Sequence, residues 1–363
     1  MLDTLTQFFT GILLGLLALM NSTAAVLEHL LVPDDHPGDR SGQMANAEPA
    51  PLPSSYDDQS IPDILLQDPQ YQQAGVIESD PVRRAYTTDP EAALVNIYCT
   101  FTGDRSVRTT TGTGFFINPN GVILTNAHVA QFLLLETLDD FGSTHCVVRS
   151  GDPAVDRYQA ELLYIPPSWV QQHAAAIVAD RPVGTGERDY ALLYVAESLS
   201  SEPLPALFPA LQYNTDLLSV QSLGTGVVAA GYPAAHLSTL GGTAELSPRV
   251  ATTTVTDLFT FGSNYADVMS LAGSAVGEHG SSGGPILHDG EVTGLITTRG
   301  DDSIDGTGSL RAITLSYIDR TLQQETGFTL TESTGGELSF RSHVFKETLA
   351  PFLTSLLARE LDR

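Results

Sequence analysis

Three short segments carry residues suited to nucleophilic chemistry, and they occur in the chain order His, Asp, Ser. Residues 121–130 (GVILTNAHVA) leave an apolar strand and set His128 at the start of a helical turn. Residues 188–193 (RDYALL) open a second apolar strand with Asp189, and residues 277–286 (GEHGSSGGPI) put Ser281 and Ser282 in a glycine-rich turn. A serine hydroxyl holds its proton at neutral pH and is a poor nucleophile until a neutral imidazole takes that proton. A buried carboxylate on the other ring nitrogen fixes the tautomer and stabilises the imidazolium that forms. The developing oxyanion needs preorganised donors, and a tight turn built on Gly280 can offer backbone N–H groups for that purpose. The two glycines that follow decide for Ser282 over Ser281; Asp139, Asp140 and Asp180 compete with Asp189, but none opens an apolar strand.

The elements that must position these residues are short. From about residue 92 the chain reads as β-branched and aromatic runs (ALVNIYCTFT, TGTGFFI, GVILT, CVVR, YALLYVA, GVVAAGY, RVATTTV, GLITT, RAITLS) separated by Gly, Pro and Asp. Many short strands with little helix between them predict an all-β barrel or sandwich. Helical pieces are expected near 128–137, 168–178 and 317–325, and the tail 343–361 reads as an amphipathic helix interrupted at Pro351.

Taken together, TNAHV, DYALL and G-x-S-G-G-P resemble the three signatures of chymotrypsin/trypsin-fold serine proteases, in a bacterial, HtrA/Deg-like form. The resemblance covers residues 92–327, and the GYP at 231–233 is also similar. It implies two six-stranded antiparallel β-barrels, at 92–197 and 218–327, with the site in the cleft between them. It further implies an endopeptidase with Ser282 as nucleophile, His128 as general base and acid, Asp189 as the orienting carboxylate, and the amides of Gly280 and Ser282 as the oxyanion hole. Thr297, Thr298 and Arg299 would pair with the substrate backbone as an added strand. Val276, six residues before Ser282, would form the base of the primary specificity pocket. With no Asp there, cleavage after Lys or Arg is not expected, and small or medium apolar residues are favoured.

Two departures from that pattern matter. Ser281 stands where zymogens of this type carry the Asp that pairs with a newly freed amino terminus, so no N-terminal clipping is expected. Residues 151–188 read as an inserted helix and loop able to cover the cleft. Cys99 and Cys146 would both fall in the first barrel, where export would allow a disulfide; the other reading is two buried thiols. The competing function is a protease-fold binding module that no longer cleaves, whose signature would be a missing His, Ser or Gly280. The residues after 327 are too few for a PDZ domain; the tail helix could mediate oligomerisation or dock on the domain.

Composition narrows the partners. The 363 residues carry 43 acids against 17 bases, a net charge of -26. That field repels phosphate backbones, so nucleic acid is not an expected partner, whereas a peptide or protein substrate is. The histidines show no zinc-ligand spacing, and GTGVVAAG at 224–231 lacks the Lys and Ser/Thr of a phosphate loop, so no metal or cofactor is implied. Residues 1–27 form a signal or membrane-anchor helix in this reading, since no charge falls between Asp3 and Glu28. The protein would accordingly be membrane-anchored or secreted into an extracytoplasmic space. Residues 28–91, with nine prolines and thirteen acids, read as a stiff, acidic, largely extended linker, leaving 92–327 as the protease domain and 328–363 as a C-terminal tail.

Overall fold

The computed structural model describes residues 64–76, 86–102, 107–138, 143–178, 185–234, 245–299 and 309–361. The helix expected at 1–27 lies outside them, and among the described residues no helix is long and apolar enough to cross a membrane.

After a short strand, β1 (Tyr86–Thr87), six strands form the first barrel: β2 (Leu94–Thr102), β3 (Val107–Asn118), β4 (Val122–Thr125), β5 (Ser143–Ser150), β6 (Val155–Tyr164) and β7 (Ala191–Ser198). They close in the order β2-β3-β4-β7-β6-β5, every pairing antiparallel, so the sheet has no outer strand. Val122, Ile123 and Leu124 of β4 are fully buried, as are Phe115 and Ile117 of β3. Cys99 and Cys146 stand opposite each other on β2 and β5, with Cα atoms 4.0 Å apart, and form a disulfide.

A two-residue strand, β8 (Ala210–Leu211), pairs in parallel with β1 and leads to the second barrel. This comprises β9 (Gly226–Gly231), β10 (Arg249–Phe259), β11 (Val268–Leu271), β12 (Pro285–His288), β13 (Glu291–Arg299) and β14 (Leu310–Thr314), closed in the order β10-β11-β14-β13-β12-β9. Its apolar core gathers Val227, Val255, Leu271, Ile286, Ile296 and Ala312. The all-β, two-barrel expectation holds. The strands are rich in β-branched residues, which suit a pleated, half-buried surface.

The helical pieces differ in detail from expectation. The His128 segment is one α-turn, Ala127–Ala130, continued by a 3₁₀ run, Gln131–Thr137. The insertion forms Pro167–His173 followed by a 3₁₀ run, Ala174–Val178. The tail is two helices, Leu338–Thr348 and Ala350–Leu361, with the break at Leu349. Pro351 falls in the first turn of the second helix, where its missing N–H costs nothing. This pair docks on the first barrel: Ser342 donates to Glu161 at 2.7 Å, and Thr354 donates to the Leu134 carbonyl at 2.9 Å.

Within the stretch expected to be largely extended, Ile64–Gln67 and Pro69–Val76 are helical, while Tyr86–Thr87 forms β1. The Asp68 carboxylate accepts from the amides of Gln70 and Tyr71, and Pro69 occupies the first helical position. Leu65 and Tyr71 are buried, and Tyr71 packs against Phe328 with ring centroids 6.0 Å apart.

Candidate active site

Thr125, Asn126 and His128 of TNAHV each hold the site through hydrogen bonds. The Thr125 hydroxyl donates to the Thr113 carbonyl at 2.7 Å, and the Asn126 side-chain amide donates to the Asp189 carbonyl at 2.7 Å. The His128 amide donates to Asp189 Oδ1 at 2.9 Å, while its ring Nδ1 lies 2.7 Å from Oδ2. Both carboxylate oxygens are thus engaged by one residue. The carboxylate calls for a proton on Nδ1 and leaves Nε2 as a lone-pair acceptor. The His128 side chain is 22% exposed and that of Asp189 7%. Burial pulls the His128 pKa down, but the charge and hydrogen bond of Asp189 outweigh it and hold it above the ordinary histidine value.

The serine turn is held from the opposite barrel. Thr113 on β3 is fully buried, and all its polar groups are engaged. Its amide donates to the Ser282 carbonyl at 2.7 Å, and its hydroxyl donates to the Gly280 carbonyl at 2.7 Å while accepting from the Tyr232 amide at 2.9 Å. The Ala234 amide donates to the His279 carbonyl at 2.6 Å. In a trans peptide the carbonyl and the next N–H point opposite ways, so this bond turns the Gly280 N–H away from Ala234. Gly280 has φ +94°, and a Cβ there would lie 2.6 Å from the Tyr232 carbonyl oxygen. At Gly283 a Cβ would lie 1.9 Å from the Thr113 carbonyl oxygen, so only glycine lets β3 approach the turn.

Ser282 Oγ donates to the Thr297 carbonyl at 3.4 Å, a long bond, and none joins it to His128. The two residues are connected through β3, because Thr113 bonds both the Ser282 carbonyl and Thr125.

Asp189 follows an unusual turn. Arg188 has φ 54°, left-handed for a residue with a side chain, a conformation costing on the order of 1 kcal/mol or more. Its amide donates to the Tyr317 hydroxyl at 3.1 Å, and its guanidinium Nε lies 3.1 Å from Glu325. Glu325 also accepts from Ser168 at 3.0 Å and from the Tyr164 hydroxyl. The helix Leu315–Thr326 and the inserted helix therefore grip the turn that carries Asp189.

Of the residues assigned to substrate, Thr297 is buried and accepts the Ser282 hydroxyl. Thr298 and Arg299 pair with Arg311 and Leu310 through their backbones, and their side chains lie outside the described residues. Opposite β14, β12 pairs with β13 only over residues 291–295, so the segment 297–299 keeps one edge free among the described residues. Val276, assigned to the base of the primary specificity pocket, is fully buried and belongs to the apolar core cluster of the second barrel. Thr113, Arg188 and Glu325 were missed by sequence reasoning; only the left-handed turn before Asp189 had a local hint, the glycine at 186.

Two closed antiparallel six-stranded barrels with this His–Asp pair and glycine-rich serine turn define the chymotrypsin fold. The sequence profile of the trypsin-like peptidase domain matches residues 112–295, half of the chain, and the protein belongs to that family. Among solved structures, the active form of the Rv3671c protease from M. tuberculosis is similar, at 20% identity and TM-score 0.39 over 82% of this chain and 96% of that one. No curated protein sequence matches significantly.

Proposed function

We propose that this peptidase is a serine endopeptidase in which Ser282, His128 and Asp189 form the catalytic triad. The observation that carries the reading is the 2.7 Å contact between His128 Nδ1 and Asp189, which leaves Nε2 able to accept a proton. In the first step the Ser282 hydroxyl proton passes to Nε2 and Oγ adds to the peptide carbonyl. The Gly280 and Ser282 amides receive the oxyanion. His128 then returns the proton to the leaving amine, and water repeats the sequence to release the acid. Binding of substrate would draw Oγ from its long bond to Thr297, since such catalytic hydrogen bonds tighten only in the complex. Thr297, Thr298 and Arg299 offer a free strand edge to the acyl half of the substrate.

Labelling by a fluorophosphonate probe, with the adduct located by mass spectrometry, tests this. Modification of Ser282 that is lost in His128→Ala is the expected result; modification elsewhere, or none in folded protein, contradicts it. The reading as a silent binding module draws on the absent Ser282–His128 bond and predicts no labelling. Export or membrane tethering through residues 1–27 is part of the proposal, supported by the Cys99–Cys146 disulfide, which persists in oxidising compartments. Fractionation of cells producing the full chain, with oxidised cysteines in a membrane or exported fraction, is the outcome expected; reduced cysteines in the cytosol would oppose it.

A further inference from the structure

The helix Leu315–Thr326 carries Glu325 in its last turn and ends at Gly327, whose φ is +82° and whose amide donates to the Gln323 carbonyl at 2.9 Å. The last carbonyls of a helix have no partner within it and need one from outside. One is supplied from far back along the chain. The Gln72 side-chain amide donates to the Thr326 carbonyl at 2.9 Å and to the Leu65 carbonyl at 2.9 Å. A glutamine amide has two N–H groups, so both bonds form at once. This cap sits one residue from Glu325.

The segment Ile64–Val76 is firmly seated where Gln72 makes these bonds. Leu65 is buried, and Leu66 covers Gly327, where an added Cβ would lie 3.1 Å from Leu66 Cδ2. The buried Arg341 guanidinium of the tail helix Leu338–Thr348 lies 4.9 Å from the Phe328 ring centroid and 6.0 Å from that of Tyr71. Arg341 also donates to the Glu332 carbonyl at 2.9 Å.

From Glu325 the path to the site is short. Glu325 lies 3.1 Å from Arg188 Nε, and Arg188 is the left-handed residue directly before Asp189. Such a conformation persists only where the surroundings fix it. Two of its partners, Glu325 and the Tyr317 hydroxyl, belong to Leu315–Thr326, so the seating of that helix sets the turn. Asp189 in turn holds the His128 ring at 2.7 Å.

Resting on the serine-protease reading, we propose that Gln72 is a positioning residue for catalysis: by capping Leu315–Thr326 from the N-terminal flank, it holds Glu325 against Arg188 and keeps Asp189 aligned on His128. A segment ahead of the first barrel thus takes part in setting the rate.

The test measures the rate of fluorophosphonate labelling of Ser282 in the full chain, against probe concentration and pH, for wild type and three Gln72 variants. Gln72→Met has no N–H to donate, Gln72→Glu sets a carboxylate against the negative end of the helix, and Gln72→Lys restores a donor with a favourable charge. The limiting rate should fall about threefold in Gln72→Met and about tenfold in Gln72→Glu, less than the roughly hundredfold that a displacement of about 1 Å can cost. The half-saturating probe concentration should not change, and Gln72→Lys should recover most of the rate. Because Asp189 raises the His128 pKa, a looser pairing should also move the acid limb of the two impaired variants to lower pH. Ser342→Ala, which removes a donor to Glu161 on the far side of the tail helix, is the control for lost stability alone. Gln72 variants that, like this control, lose stability but keep rate and midpoint overturn the positioning role and leave the triad standing. Equal losses in all three Gln72 variants overturn it too. A folded wild-type chain that does not label overturns both readings.

Discussion

The Thr113 amide donates to the carbonyl of Ser282 at 2.7 Å, joining the first barrel to the serine turn of the second. The Thr113 hydroxyl adds bonds to the Gly280 carbonyl and the Tyr232 amide. Thr113 thus holds the peptide unit before Ser281 through its side chain and the peptide unit after Ser282 through its main chain. Thr113→Val preserves shape but leaves a buried carbonyl and a buried amide unpaired, at about 1–3 kcal/mol each. We expect a lower melting temperature and a kcat reduced by about 10–100-fold with little change in KM, the mark of a loosened oxyanion hole. Thr113→Ser keeps the hydroxyl and should recover most of both. Equal kcat in Thr113→Val and wild type would contradict this role.

Asp189 raises the His128 pKa against the lowering effect of burial. Catalysis requires neutral His128, so kcat/KM rises with pH through a midpoint above the ordinary histidine value. In Asp189→Asn both raising influences are gone and burial remains, so the midpoint moves to lower pH while the maximal rate drops by about 10⁴-fold, the loss measured for the equivalent change in a serine protease. A pH–rate profile checks both, and an acid limb that stays in place would rule out the pairing as its origin.

Gly283→Ala is expected to be among the most destructive single-methyl changes in the chain. The added carbon would sit 1.9 Å from the Thr113 carbonyl oxygen, at φ +88°. Either β3 or the turn must move, and denaturant unfolding should show a loss of at least about 2 kcal/mol together with abolished activity. Gly290→Ala is the control: its φ is +83°, but nothing lies within 4 Å, so it should cost on the order of 1 kcal/mol and leave activity in place.

Glu325→Ala removes the partner of Arg188, Ser168 and Tyr164 together. Loss of a largely buried ion-pair partner costs about 3 kcal/mol, and the turn before Asp189 loses its brace. Thermal unfolding should register the stability loss, and kcat should fall more than KM changes. Full activity at a temperature where the variant is folded would show that the network serves stability alone.

The barrels were legible because β-branched runs between Gly, Pro and Asp carry their own periodicity, and TNAHV and GSSGGP place reactive groups in recognisable local frames. Thr113 was not legible. Its hydroxyl partner is a backbone carbonyl 167 residues away, and nothing in TGTGFF distinguishes it from Thr111. The Arg188–Glu325 pair likewise spans two elements that meet only in the folded chain. The helices at 64–76 were masked by prolines, although Asp68-Pro69 is itself a helix-start signal.

The central claim is that Ser282 and His128 act as one unit although no hydrogen bond joins them in this structure. Peptide hydrolysis by Ser282→Ala, His128→Ala and the double variant tests it most directly. Each single change should lower kcat by about 10⁴–10⁶-fold, and the double variant should be no worse than either. Losses that add, or substantial turnover remaining in Ser282→Ala, would contradict the claim.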